Sequence, residues 1–147
     1  MSACSYTVTA RSSAPPEVVF DVLADGARWK EWAGPLAPNS SWDREGTPEP
    51  GGVGAIRKLG AWPVFSREEI VEYDPPRHLA YTLLSGMPVK DYRADVELTA
   101  DGAGTTITWS GHFNPRIPGT GPLFVAFFKR VVGGFAKRLA ATAATRA

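Results

Sequence analysis

The last 26 residues, 122–147, have the sequence PLFVAFFKRVVGGFAKRLAATAATRA, which predicts one long amphipathic helix. Its apolar side chains recur at steps of three and four residues, the spacing of a single helix face. They are Phe124, Phe128, Val131, Phe135 and Leu139, and the opposite side carries Lys129, Arg130, Lys137 and Arg138. Because glycine is a poor helix former, the pair Gly133-Gly134 indicates close packing or a kink within this helix.

The region before this helix predicts a succession of antiparallel strands. Five segments of strand composition are separated by turns rich in glycine, proline and aspartate: 54–60, 64–73, 77–85, 89–100 and 104–113. In residues 91–98 and 106–113 apolar and polar side chains alternate, so one face of the sheet is apolar and the other is solvated. The apolar face needs a cover, and the C-terminal helix is the candidate for it.

The N-terminal part adds one strand and two short helices. Residues 5–12 alternate as in a half-buried strand, and the apolar positions in 18–23 have helical spacing after two prolines. An Asp25-Gly26 stop separates this helix from a second short one over Arg28–Trp32. Residues 38–50 predict a loop or a weak strand.

This order of elements predicts an α+β fold. We expect a strongly curved antiparallel sheet wrapped around one long C-terminal helix, with two short helices after the first strand. A curved sheet cannot close tightly along the whole of one helix. The gap between them is therefore expected to form a pocket.

Length and composition predict one globular domain spanning residues 1–147. The formal net charge of +1 provides no basic stripe, so no nucleic-acid partner is expected. A single cysteine and a start without the basic and long apolar regions of a signal peptide predict a cytoplasmic location. The longest apolar run, 123–128, is too short for an integral membrane segment, although weak contact with a membrane surface stays open.

Five segments carry a resemblance to a known family. They are SSAPPEVVFDVLADGARWKEW (12–32), GAIRKLG (54–60), EEIVEYDPPRHLAY (68–81), SGMPVKDYRADVELT (85–99) and GTTITWSGHF (104–113). In their order and spacing, the chain resembles the START-like (SRPBCC) superfamily with its helix-grip fold, and within it the polyketide cyclase/dehydrase-like group. The resemblance implies a START-like ligand-binding domain with a central cavity for an apolar or aromatic small molecule. It implies cyclisation or dehydration in some members and carriage in others, and fold analogy does not choose between them.

Two predicted hairpins bring aromatic residues to the inner face of the sheet. The turn at 86–89 sets Tyr81 near Ala94 and Leu83 near Tyr92, and the turn at 100–104 sets Ala94 near Trp109. The face then includes Leu79, Tyr81, Leu83, Tyr92, Val96, Ile107, Trp109 and Phe113. Core packing explains any one of them, but Tyr81, Tyr92 and Trp109 have polar groups that need partners when buried, which favours a pocket with a polar edge.

The residues expected to contact a hydrophobic ligand lie on this face, on the long helix and at the pocket mouth. They are Trp32, Trp62, Ile70, Tyr81, Leu83, Tyr92, Trp109, Phe113, Phe124, Phe128 and Val131. Trp32 and Trp62 are the candidates for the mouth, where short helices and strand-joining loops form a lid in folds of this kind. Packing beneath the short helices is the alternative for both.

The adjacent Glu68 and Glu69 point to opposite faces of their strand, so only one of them enters the pocket. A four-residue turn at 74–77 would pair Glu68 with Leu83 and turn it inward, whereas a one-residue slip would turn Glu69 inward. The same four-residue turn sets Tyr73 opposite His78 and Ile70 opposite Tyr81. The resemblance favours the inward position of Glu68.

A carboxylate buried at Glu68 is a candidate general acid or base. The alternative is a structural ion pair with Arg57 or Arg67. Arg57, on a neighbouring strand, is the second catalytic candidate, as a partner for an anion or a carbonyl group, and a solvated side chain is its alternative. His78 and His112 alternate with inward residues and are expected to point outward.

The sequence contains no metal-ligand spacing, phosphate-binding glycine motif or nucleophile motif, so neither a metal nor a cofactor is expected. Three functions remain. The first is binding of a small hydrophobic ligand, lipid-, polyketide- or aromatic-like, between sheet and helix. The second is a cyclase or dehydratase that uses Glu68 as general acid or base, and the third is a peripheral membrane module that handles lipid.

Overall fold

The computed structural model describes residues 4–35, 37–61 and 64–147. Trp62, one of the two predicted mouth residues, lies outside the described residues. The elements are, in chain order, β1 (Cys4–Ser12), α1 (Pro16–Ala24), a 3-10 helix (Gly26–Glu31), β2 (Asn39–Arg44), β3 (Ile56–Ala61), β4 (Val64–Asp74), β5 (His78–Ser85), β6 (Val89–Asp101), β7 (Gly104–Pro115) and α2 (Gly121–Arg146).

The seven described strands form one curved antiparallel sheet in the order β1-β7-β6-β5-β4-β3-β2. Strands β2 to β7 follow the chain as a meander, and β1 closes the other edge by pairing with β7. Helix α2 packs against β1, β7 and α1. The predicted α+β helix-grip architecture, a curved sheet around a long C-terminal helix, is confirmed.

The buried face of α2 differs by a partial turn from the predicted stripe. Its buried side chains include Phe128, Val132, Ala136 and Leu139, whereas Val131 and Phe135 are only half-buried along the edge. The residue spacing is helical in both cases, but small alanines allow the helix to approach the sheet more closely than the larger predicted residues would. The helix runs unbroken through Gly133, where an added Cβ would lie 3.7 Å from Val8 Cγ1 on β1.

The second short helix begins earlier than predicted and is a 3-10 helix. Its first residue, Gly26, is buried, and an added Cβ there would lie 2.7 Å from Trp42 Cη2 and 2.8 Å from Arg57 Cδ. The chain can pass this close to β2 and β3 only with glycine, and it then turns tightly. The region predicted as a loop or weak strand contains β2, and β3 begins at Ile56, two residues after Gly54, whose φ is +90°.

The hairpin between β4 and β5 has a shorter turn than predicted. Asp74 pairs with His78 and Tyr73 with Leu79, so the loop has three residues and the predicted pairing of Tyr73 with His78 is wrong. The register then shifts between Ile70 and Glu72, where β4 contains one extra residue. A bulge of this kind places two residues of one strand opposite one residue of the other.

The bulge compensates for the short turn. Beyond it, Ile70 pairs with Tyr81 and Glu68 with Leu83, as the four-residue turn would also have given. Glu68 therefore faces the interior and Glu69 the outside. Between β6 and β7 the strands continue to Asp101 and Gly104, so Ala94 pairs with Gly111, two residues along β7 from its predicted neighbour Trp109, which pairs with Val96.

Candidate functional site

A cavity of about 220 Å³ lies between α2 and the inner faces of β3, β4, β5 and β6. Its wall is mostly apolar, and the polar side chains on it are Ser66, Glu68, Tyr81 and Tyr92. The remaining lining residues are Ala37, Leu59, Gly60, Val64, Leu83, Gly86, Met87, Phe127, Phe128, Val131, Val132 and Phe135. The cavity lies along one edge of α2, in the gap between this helix and the sheet.

The sequence-predicted residues divide into two groups. On the cavity wall lie Glu68, Tyr81, Leu83, Tyr92, Phe128 and Val131. Behind the wall, in the packed core, are Trp32, Ile70, Trp109 and Phe113, and Phe124 is half-buried against Phe127 and Phe128. Trp32 and Trp109 pack against Trp29 of the 3-10 helix, and Phe113 packs against Tyr92 and Phe128, so these rings lie behind the wall.

Several cavity residues were not predicted. Val132 and Phe135 continue the helical spacing from Phe128, so the periodicity of α2 contains the signal for them. Gly86 and Met87 line the wall from the β5–β6 connection, where an added Cβ at Gly86 would lie 2.5 Å from the carbonyl oxygen of Phe65 on β4. No local pattern indicates such a position.

Arg57 and Glu68 face each other across β3 and β4 and form a buried ion pair. The side chain of Arg57 is 1% exposed and that of Glu68 is 12% exposed. Both Nε (3.1 Å) and Nη2 (2.6 Å) of Arg57 donate to the same atom, Glu68 Oε1. Of the two partners considered, Arg57 is the one present, since Arg67 pairs with Asp43 on the outer surface.

Two aromatic rings enclose the guanidinium of Arg57. Its Cζ atom lies 3.9 Å from the ring centroid of Trp29 and 5.1 Å from that of Tyr81. Cation–π contacts of this kind offset part of the cost of removing the charge from water. The charge of Arg57 therefore faces Glu68 while Trp29 and Tyr81 lie beside its guanidinium.

The second carboxylate oxygen of Glu68, Oε2, is not engaged by Arg57. Within the described residues, Oε2 accepts no hydrogen bond, whereas Oε1 accepts two. The side chain of Glu68 is 12% exposed and lines the cavity. Because Glu68 lines the cavity, Oε2 presents an acceptor to whatever fills it.

Three tyrosine hydroxyls lie near this carboxylate. The hydroxyls of Tyr6 and Tyr92 are hydrogen-bonded to each other, and the indole Nε1 of Trp109 donates to Tyr81 Oη at 3.2 Å. Burial, followed by the negative charge of Glu68, raises the pKa of Tyr81 well above its usual value, and burial also raises the pKa of Tyr6 and of Tyr92. All three therefore stay neutral at physiological pH.

Tyr6 was not among the predicted site residues. It lies on β1 and reaches the cavity region through Tyr92 and Phe128, whose rings lie 6.4 Å and 5.9 Å from its own. The alternation of β1 places Tyr6 on the buried face. Only the pairing of β1 with β7 brings it near Glu68.

The titratable side chains away from the cavity do not assemble a metal centre. In the ranges 4–35, 37–61 and 64–147, no three His, Cys, Asp or Glu side chains are grouped as metal ligands. His78 lies on the outer face of the sheet, where it contacts Asp95 (2.7 Å) and Glu72 (3.1 Å), and His112 is exposed. No helix in the part of the chain that the structure describes could span a membrane.

Solved structures with the same fold come from several bacteria. A START superfamily protein from Mycobacterium smegmatis superposes with a TM-score of 0.82 at 11% identity, over 98% of this chain and 99% of that one. The Zhui aromatase/cyclase from Streptomyces sp. R1128 gives 0.77 at 19% identity, over 99% and 96%. The protein XoxI from Bacillus cereus gives 0.76 at 19% identity, over 95% and 94%. Identities this low establish the fold alone.

The family follows from the sequence comparison. Among curated proteins, none matches the chain. The family model described as "Polyketide cyclase / dehydrase and lipid transport" matches residues 3–145, which is nearly the whole length. The resemblance noted from the five sequence segments is confirmed, and the chain belongs to the polyketide cyclase/dehydrase and lipid transport family.

Proposed function

We propose that the protein is a single ligand-binding domain that takes a small hydrophobic molecule into the cavity between its sheet and α2. The observation that carries this proposal is the cavity itself, about 220 Å³ with mostly apolar walls beside the hydrophobic core. Drug-sized ligands occupy pockets of roughly 300–1,000 Å³, so a smaller molecule fits here. A medium-length acyl chain or a compact aromatic ring system has the appropriate size.

The binding energy would come mainly from apolar contact with Leu83, Phe128 and Val131, at about 25 cal/mol per Å² of apolar surface removed from water. Tyr81, Tyr92 and Glu68 would orient the polar groups of the ligand. Residues behind the wall support this surface, since Phe113 packs edge-on against Phe128 with ring centroids 5.2 Å apart. Trp32, Ile70, Trp109 and Phe124 would act in the same supporting way.

Isothermal titration with 1-decanol and 2-naphthol, two neutral apolar probes, tests the proposal. Leu83→Trp would fill the cavity and abolish binding, because Leu83 lies on its wall. Leu84→Trp is the matched control, since Leu84 is 49% exposed and lies outside the cavity. Binding that is absent in the unmodified protein, or equal in the two variants, would remove the proposal.

Catalysis is the second candidate, and the Oε2 atom of Glu68, which Arg57 does not engage, favours it. As a general base, Glu68 would accept a proton from a carbon next to a carbonyl group. The neutral hydroxyl of Tyr81 or Tyr92 would then donate a hydrogen bond to the enolate oxygen. This is the proton transfer that a cyclisation or dehydration requires.

Hydrogen–deuterium exchange of α-tetralone in D₂O, followed by ¹H NMR, separates the two functions. If Glu68 is a base, the protein accelerates exchange at the carbon next to the carbonyl, and Glu68→Gln loses the acceleration while still binding α-tetralone. If exchange proceeds at the rate of buffer alone although α-tetralone binds, binding without catalysis is the function.

A further inference from the structure

A groove of about 530 Å³ runs along α2 beside the cavity. Phe127, Val131 and Phe135 line both the groove and the cavity. Two basic side chains, Arg130 and Arg138, lie along the groove, eight residues apart on the helix. A molecule that extends from the cavity over these three apolar residues would therefore end next to the arginines.

The two arginines differ from most arginines of this chain in having no acidic partner among the described residues. Eight of the eleven arginines form ion pairs with carboxylates of the described residues. The exceptions are Arg116, Arg130 and Arg138, two of which line the groove. No acidic residue occurs anywhere in α2, so the positive charge of the groove is not neutralised from its own helix.

Two glycines, Gly34 and Gly134, leave the space that the guanidinium of Arg138 occupies. An added Cβ would lie 2.7 Å from Arg138 Cζ at Gly34 and 2.9 Å from Arg138 Nη1 at Gly134. The guanidinium thus lies in a space that any larger residue would occupy. Its one acceptor among the described residues is the carbonyl oxygen of Ala33, at a long 3.4 Å, so most of its donors remain available to a ligand.

The charges also fix the direction in which an anionic ligand would enter. At the inner wall, Glu68 presents a carboxylate oxygen, and the buried arginine near it, Arg57, already faces that carboxylate. An anionic group placed there would meet a like charge with little water to screen it. At the groove the same group would meet two arginines without acidic partners among the described residues.

We propose that the ligand is an amphipathic monocarboxylate whose apolar part fills the cavity and whose carboxylate is bound by Arg130 and Arg138 in the groove. This inference rests on the proposed function, since it concerns the same cavity. It adds the charge of the ligand, its orientation and the two residues that select it.

Isothermal titration of decanoate and 1-decanol, which share one alkyl chain and differ in charge, tests the proposal at low ionic strength. Decanoate should bind more tightly than 1-decanol. The double variant R130Q/R138Q should weaken decanoate at least about tenfold, the scale of a lost charge-assisted hydrogen bond, and leave 1-decanol unchanged. The double variant K129Q/K137Q removes the same charge from the same helix outside the groove and should change neither.

The possible outcomes distinguish failure of the carboxylate site from failure of the proposed ligand-binding function. If 1-decanol binds while decanoate binds no better, or if R130Q/R138Q leaves decanoate unchanged, the carboxylate site is refuted and the apolar cavity stands. The carboxylate site is equally refuted if K129Q/K137Q weakens decanoate as much as R130Q/R138Q, because the effect is then one of net charge. If neither probe binds the unmodified protein, the cavity function and the inference fail together.

Discussion

Arg57 directs two hydrogen-bond donors to a single oxygen of Glu68, with distances of 3.1 Å and 2.6 Å to Oε1. A bidentate pair would have used both carboxylate oxygens. The one-sided arrangement holds the glutamate in place and leaves Oε2 free for the cavity. The same contact therefore positions the carboxylate and leaves its second oxygen without a donor from Arg57.

Replacing Arg57 with methionine should destabilise the protein by about 3 kcal/mol or more, because it leaves Glu68 as a buried charge without its partner. The double variant R57M/E68L should be more stable than R57M, since it removes the uncompensated carboxylate. Urea denaturation of the three proteins measures both differences. Arg67→Met is the control: its pair with Asp43 is exposed, and we expect a loss below about 1 kcal/mol.

Two glycine-to-alanine changes should have opposite effects. Gly26→Ala would place a Cβ 2.7 Å from Trp42 Cη2 and 2.8 Å from Arg57 Cδ, and we expect a loss of about 1–3 kcal/mol. Gly133→Ala, in the middle of α2, meets its nearest neighbour at 3.7 Å. It should stabilise by up to about 1 kcal/mol through helix propensity. Thermal unfolding followed by circular dichroism measures both, and a loss at Gly133 would contradict the packing described for α2 against β1.

Most of the architecture follows from the sequence because it depends on local periodicity. The alternation of β6 and β7 and the three-to-four spacing of α2 determine strands, helix and inner face. The β4–β5 hairpin shows the limit: the turn was predicted one residue too long, and the bulge before Glu72 restored the register. The inward direction of Glu68 thus resulted from two local features that cancel.

The site was less predictable than the fold because its wall is made by parts that are distant in sequence. Met87 comes from a loop and Ala37 from the connection before β2, and neither has a periodicity to reveal it. Trp109 and Phe113 were expected at the ligand, but pattern alone cannot distinguish a cavity wall from the packed layer behind it. That difference depends on how far α2 stands from each strand.

The hydrogen bond from the Trp109 indole to Tyr81 should be visible as a loss of stability in Tyr81→Phe. The change leaves the buried Nε1 of Trp109 without its acceptor, which costs about 1–3 kcal/mol. Tyr73→Phe is the matched control, because the Tyr73 hydroxyl makes no hydrogen bond within the described residues and should cost less than about 0.5 kcal/mol. Equal losses in the two variants would show that the Tyr81–Trp109 bond contributes nothing.

The raised pKa of Tyr6 predicts how stability changes at alkaline pH. Burial raises this pKa in the folded state, whereas the unfolded chain loses the proton near pH 10. A raised folded pKa gives stability that is complete below the unfolded value and is lost as pH rises above it. The wild type therefore loses about 1.4 kcal/mol per pH unit from this group above the unfolded pKa.

Tyr6→Phe isolates this titration, because it removes the ionisable hydroxyl together with its hydrogen bond to Tyr92. The variant should be about 1 kcal/mol less stable than the wild type at pH 7. Between pH 9 and pH 11 that difference should shrink by about 1 kcal/mol. The reason is that Tyr6 ionises in the unfolded wild type while its buried hydroxyl in the folded state stays protonated. Urea denaturation at pH 7, 9 and 11 measures the stability of both proteins. The titration of the lysines, which the two proteins share, cancels in the difference between them. Curves that stay parallel would mean that the Tyr6 hydroxyl is not buried in solution.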